Sequence, residues 1–173
     1  KIKDLLPPGS LTEDTRLVLT NAIYFNCTWK YEFDPTWTEL APFWTEENEQ
    51  IDVPMMQQTS EYRYGTFDHF QMIELPYTDD ELSMIVILPN EVDGLRNLEA
   101  LLTTEMLNES INQLVLQQVD LSLPRFEITS QFGLVDVLMS LGIVEAFSRH
   151  ADFSGMNGLR DLFLSEVVHK AYA

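Results

Sequence analysis

The groups able to carry acyl-transfer chemistry are few in this chain: three histidines, His69, His150 and His169, one thiol, Cys27, and scattered serines. Ser154 or Ser165 with His150 or His169 and one of the many carboxylates could form a nucleophile, a base and an orienting acid, because such a triad needs only proximity in space. No motif supports it. The chain has no Gly-X-Ser-X-Gly elbow, no His-Glu-X-X-His, no Gly-X-Gly-X-X-Gly and no glycine loop ending in Gly-Lys-Ser/Thr. Cys27 has no histidine near it in sequence and reads as a small buried hydrophobe rather than a nucleophile. Glu46-Glu47-Asn48-Glu49 lacks the alternating ligands of a calcium loop and reads as a solvated charge run. A single cysteine with three histidines cannot assemble a Cys/His zinc site. No motif among these residues marks a catalytic site, and no metal or cofactor is expected. Asn26-Cys27-Thr28 and Asn108-Glu109-Ser110 match the N-glycosylation pattern, which arises often by chance and matters only in a secretory pathway.

Composition narrows the partners. Ten Lys and Arg against 28 Asp and Glu give a net charge of -18 over 173 residues, a field that repels phosphate backbones and anionic membrane surfaces. Neither nucleic acid nor a membrane is expected as a partner. The longest apolar runs, such as Met84 to Leu88, fall far short of the ~20 residues of a spanning helix. One cysteine excludes an internal disulfide. Lys1 to Leu6 include no initiator methionine and no basic-then-apolar leader, so they carry no information on a secretion signal.

The elements that must position these groups follow from periodicity. Thr15 to Phe25 is almost continuously apolar and β-branched, so it reads as a strand covered on both faces. Thr28 to Asn48, broken by Pro35 and Pro42, reads as irregular with short extended pieces. Extended segments are expected at Gln50 to Thr59, Glu61 to Phe67 and Phe70 to Pro76, the last forming a hairpin with Glu81 to Leu88, whose Met84 to Leu88 should be core. Leu95, Leu98 and Leu102, then Met106, Leu107, Ile111 and Leu114, mark two helices, the second capped by Thr103 or Thr104. Val119, Leu121 and Leu123 alternate as a half-buried strand that Pro124 ends or places at an edge before Phe126 and Ile128. Ser130 should cap a helix bearing Leu134, Leu138 and Leu141, ended at Gly142. Leu162 to Tyr172 is a further strand. With no linker or repeat, residues 1–173 read as one α+β unit, strand-rich with a few helices.

Eight stretches in order carry a resemblance. They are Thr20-Asn21-Ala22-Ile23-Tyr24-Phe25 with Trp29, Val53-Pro54-Met55-Met56, Glu74-Leu75-Pro76-Tyr77, Leu82 to Pro89, Leu123-Pro124-Arg125-Phe126, Leu141-Gly142-Ile143, Ala151 to Met156, and Ser165 to Ala171. Together they resemble the serpin family over nearly the whole chain. The resemblance implies a mixed multi-sheet fold, here partial, and a suicide-substrate inhibitor of a serine or cysteine protease. A reactive loop is cleaved, enters the central sheet as a new strand, and drags the acylated protease with it. The strands flanking the slot would be Thr15 to Phe25 and Leu162 to Tyr172.

Alone, Asn21 and His169 read as two separately satisfied core residues. The resemblance makes them a bonded pair in the shutter that controls sheet opening. It likewise places Trp29, otherwise a plain core anchor, in the breach where insertion begins. Arg125 matches a basic position that pairs with a hinge glutamate, which would lie beyond Ala173. Lys170 matches a support residue and could equally snorkel from the sheet edge. The family's helical N-terminal half, hinge, reactive loop and last strands have no counterpart in these residues, so no reactive bond can be named. By itself the stretch is expected to be inactive and prone to self-association. An extracellular setting is expected, with an intracellular one open. A non-inhibitory carrier, chaperone or storage serpin, and an unrelated strand-rich hydrolase, are the competing readings.

Overall fold

The computed structural model describes residues 2, 4–6, 8–45 and 49–173. In chain order its strands are β1 (Leu17–Tyr24), β2 (Glu39–Trp44), β3 (Gln50–Thr66), β4 (Phe70–Pro76), β5 (Ser83–Pro89), β6 (Val115–Pro124), β7 (Thr129–Gly133) and β8 (Leu164–Tyr172). The helices are α1 (Leu95–Leu101), α2 (Thr104–Gln113), α3 (Val135–Ser140) and α4 (Ser154–Asn157). The fold is the strand-rich α+β arrangement that the sequence implies. It packs as two compact units, Cys27–Phe126 and a discontinuous one made of Lys1–Asn26 and Glu127–Ala173. No Gly- or Ser-rich linker marks either crossing, which is why the sequence reads as a single unit. Residues 46 to 48 of the acidic run lie outside the described residues.

In the Cys27–Phe126 unit, β3 is the organising strand. Its first part pairs with β2, its middle with β6, and its last residues with β4, all antiparallel. The two segments expected on either side of Ser60 are therefore one strand of 17 residues. Ser60 supplies no turn chemistry, having neither Gly nor Pro beside it, and stays in the ladder opposite Val119. β4 and β5 form the expected hairpin, but β4 is the buried strand. Its Ile73 and Leu75 join Tyr62 and Leu123 in one core cluster, while Phe70 and Met72 join Leu98 and Leu114 in another. Successive side chains point to opposite faces, so β4 is covered on both. The expectation that Met84 to Leu88 would be core is corrected: β5 ends the sheet order, its side chains are mostly half-buried, and Leu88 is exposed.

Both helices of this unit start where the sequence suggests, and Leu102 and Leu114 stand at their C-terminal caps. Thr103 caps α2, its hydroxyl accepting the Met106 N–H at 3.1 Å, which satisfies one of the orphan donors of the first turn. Gly94 leads into α1 where a Cβ would stand 2.9 Å from Pro89 Cβ and 3.0 Å from the Glu91 carbonyl oxygen. Neither neighbour is a flexible side-chain tip. Gly94→Ala should therefore cost about 1–3 kcal/mol through overpacking, read as a lower urea midpoint at unchanged slope.

The discontinuous unit is a three-stranded sheet in the order β1-β8-β7, with β1 parallel and β7 antiparallel to β8. Val167 and Val168 of the central strand face opposite sides and are both buried. The expectation that β1 is covered on both faces does not hold in this chain. It is the outer strand, and Leu19 and Ile23 are 52% and 54% exposed. The expected Ser130-capped helix is also corrected. Ser130 sits in β7, paired with Ala171, and α3 begins only after Leu134. Its C-terminus ends as foreseen. Gly142 has φ +98°, its N–H donates to Met139 O, and Ile143 N–H donates to Leu138 O, a Schellman closure that favours glycine. Downstream, Asp152 accepts the Ser154 N–H and hydroxyl and pairs with Arg160. The bonds from Ser154 hold its carboxyl below the usual carboxylate range.

Candidate functional site

The seam between β1 and β8 runs in register from Val18↔Glu166 to Tyr24↔Tyr172, with Asn21 opposite His169. Of the two apolar segments paired in parallel here, β8 is the inner strand and β1 the outer one. Asn21 Oδ1 and His169 Nδ1 stand 3.1 Å apart. An amide oxygen can only accept, so the ring donates from Nδ1–H. On its other side His169 faces Phe132 of β7. The bond is more exposed than the sequence suggests, since Asn21 is exposed and His169 half-buried.

Three residues further along both strands lies a feature that sequence reasoning missed. Tyr24 and Tyr172 stack with ring centroids 5.4 Å apart and planes 11° from parallel. The signal was present: Asn21 and His169 are each followed at the third position by a tyrosine, so a parallel register that pairs the first two also pairs the rings. Asn26 Nδ2 donates to the Tyr24 hydroxyl at 3.1 Å, and Phe25 N–H donates to Tyr172 O at 2.9 Å. The Glu127 carboxylate, bonded to the Tyr172 hydroxyl, pushes that phenol above its ordinary range. At the opposite end the register shifts between Leu17 and Val18, and Arg16 N–H bonds to the Ser165 hydroxyl.

Of the other expected site residues, Lys170 belongs to this unit and its ammonium donates to the Asp4 carbonyl at 3.3 Å. Trp29 and Arg125 belong to the Cys27–Phe126 unit. Trp29 stacks on Tyr77 with centroids 4.7 Å apart and packs against the Tyr62, Ile73, Leu75 and Leu123 cluster. The flanking Lys30 N–H to Pro76 O and Thr78 N–H to Thr28 O bonds, 2.9 and 3.0 Å, fix its segment along the hairpin. Arg125 donates its N–H to Pro54 O at 2.8 Å, extending the β3–β6 ladder, and its side chain is exposed. Asn26 and Asn108 are both exposed, the first after β1 and the second on α2.

Cys27 is exposed rather than buried, and lies in the irregular segment just past β1. The serines weighed as nucleophiles find other partners: Ser154 bonds Asp152, and Ser165 accepts from Arg16. An open cleft of about 340 Å³ beside Lys30, Arg63 and Glu74 contains Ser83 but no histidine. Another, of about 450 Å³ beside Asn90 and Leu98, contains His69 but no serine. In the first the Ser83 hydroxyl donates to the Glu74 carboxylate at 2.8 Å, and neither cleft brings a serine to a histidine, the pairing that the hydrolase reading needs. Among the described residues no group of three or more His, Cys, Asp or Glu is arranged to hold a metal ion.

Under the Trp29 segment, Tyr62 is buried and its hydroxyl accepts from Gln58 Nε2 at 2.6 Å. Burial pushes this phenol up to about 12. A raised value in the folded state means that the fold favours the protonated hydroxyl. That contribution is complete below the unfolded value near 10 and is lost as pH rises through 12. Alkaline difference absorbance should show a late-ionising tyrosine coupled to unfolding, and Tyr62→Phe should abolish it.

A family model described as Serpin (serine protease inhibitor) matches residues 1–173. Serpin B3 of Homo sapiens is 43% identical over 176 residues, covering 99% of this chain and 45% of that protein. Leukocyte elastase inhibitor of Homo sapiens is 39% identical over 181 residues, covering 99% of the chain and 48% of its own length. Among solved structures, uncleaved ovalbumin superposes with TM-score 0.91 at 35% identity, over 99% of this chain and 47% of that one. Native protease nexin-1 with heparin superposes at 0.90 and 32% identity, over 99% and 49%. The chain thus spans about half the length of the relatives that it matches.

Proposed function

The chain belongs to the serpin family, and from that premise we propose that the full-length protein inhibits a serine or cysteine protease as a suicide substrate. The observation that carries this reading is the parallel β1–β8 seam with the side-chain bond from His169 to Asn21 bridging it. A seam of this kind supports strand insertion. Its ladder bonds can be re-formed to an incoming strand, so opening costs mainly the side-chain contacts that bridge it. In this reading Asn21 and His169 form the shutter, Trp29 supports the breach, Arg125 and Lys170 support the same sheet, and an extracellular protease is the partner. Residues 1–173 form a single serpin domain with the remainder of the protein.

The test is direct. The full-length protein is mixed with trypsin-like, chymotrypsin-like and subtilisin-like proteases, and a covalent complex surviving denaturant is sought on a gel. Such a complex with at least one protease is expected. Cleavage of the protein without a trapped protease would overturn inhibition and favour a carrier, chaperone or storage role.

The shutter assignment predicts its own effect. Asn21→Ala or His169→Ala should raise the seam-opening equilibrium by about 2- to 13-fold, the equivalent of about 0.5–1.5 kcal/mol for one hydrogen bond. The double variant should cost less than the sum of the two. Strictly additive effects on unfolding would show that the bond contributes nothing.

A further inference from the structure

We propose that Tyr24 and Tyr172 form a second clasp on the β1–β8 seam, a ring stack that holds its C-terminal end shut on the face opposite the Asn21–His169 bond. The placement follows from strand geometry. Side chains alternate between faces, so residues three apart on one strand point to opposite sides. Asn21 and Tyr24 therefore lie on different faces of β1, as do His169 and Tyr172 of β8, while each pair is matched in register. The seam is pinned from both sides within one short stretch.

Several contacts make the stack more than a chance encounter. Each ring is steadied at its hydroxyl, Tyr24 by Asn26 and Tyr172 by Glu127. Beneath the rings the ladder continues, Phe25 N–H to Tyr172 O at 2.9 Å, and Ile128 and Ala173 exchange both backbone bonds at 2.9 Å. Near-parallel rings 5.4 Å apart lie within the range where aromatic pairs add stability beyond their buried area. At the other end the register shift and the side-chain bond from Arg16 replace regular pairing. The two ends of the seam are thus unequal, and the tyrosine end is the tighter. As a device that governs opening, the clasp rests on the reading that β1 and β8 part when the protein acts.

Hydrogen exchange on the full-length protein tests it without any protease. Tyr24→Ala and Tyr172→Ala should each speed exchange about three- to tenfold in peptides covering residues 22–26 and 168–173, leaving the β4 peptide 70–76 unchanged. Tyr172→Leu, which keeps apolar bulk without a stack, should behave like Tyr172→Ala. Tyr24→Phe and Tyr172→Phe keep the rings and should retain wild-type protection. Unchanged exchange in the alanine variants would overturn the clasp. So would phenylalanine variants as fast as alanine ones, which would assign the effect to the hydroxyl bonds, or equal acceleration at 70–76, which would mean general loosening. A protein that traps no protease yet shows the localised acceleration would lose the inhibitor reading and keep the clasp.

Discussion

Met72→Ala should destabilise the full-length protein by about 2–5 kcal/mol, more than any other single truncation considered for this chain. Met72 has no exposed surface and packs with Phe70, Leu98 and Leu114, between the β4–β5 hairpin and the two helices that follow it. Removing its side chain deletes the transfer energy of several buried groups and leaves a cavity whose walls are strand backbone and helix, which relax only partly. A flexible thioether also fills irregular space that other side chains fit less well. Met72→Leu, with nearly the same volume, should cost less than about 1.5 kcal/mol. Equilibrium urea unfolding distinguishes them, and similar midpoints for the two variants would contradict this packing.

Trp29→Ala should remove about 2–4 kcal/mol, somewhat less than a fully buried tryptophan because the ring is half-buried. The loss combines burial against the Tyr62 and Leu75 cluster with the stack on Tyr77, and Trp29→Phe should recover much of it. The same pair of variants separates anchoring from a role in strand insertion. If the protein traps a protease as proposed and Trp29 serves the breach, the alanine variant that remains folded should also give more cleaved, uncomplexed product when mixed with that protease. An unaltered division between trapped and cleaved forms would leave Trp29 as packing alone.

Much of this was legible in the residues because several local signals agreed at the same place. Thr103 as a cap, Gly142 as a left-handed terminator, and the turn between Pro76 and Ser83 each rest on chemistry that a few neighbours decide, and each appears where the sequence put it. What failed depends on layers. The run Met84 to Leu88 is more apolar than β4, yet β4 is the buried strand, because burial is set by a strand's position in the sheet and not by its own composition. Ser130 has the right type for a cap, but a ladder opposite Ala171 outweighed a local hydrogen bond. At the candidate site, Asn21 and His169 stood out as polar residues within apolar strands. The tyrosine pair did not, since aromatic residues are ordinary in strands and only register makes these two neighbours.

The 17-residue β3 also sets a timetable during synthesis. Tyr64 to Met55 bond along β6, whose partners run from Val115 to Pro124, so this middle portion waits 51 to 69 residues for its neighbour to be made. At about 5–20 residues per second the wait is roughly 3–14 s, during which an apolar edge bearing Met55, Met56 and Tyr62 stands open to other nascent chains. Stalling the ribosome between Tyr64 and Val115 would hold the protein at its most adhesive stage, and slow codons in that interval should lower the soluble yield.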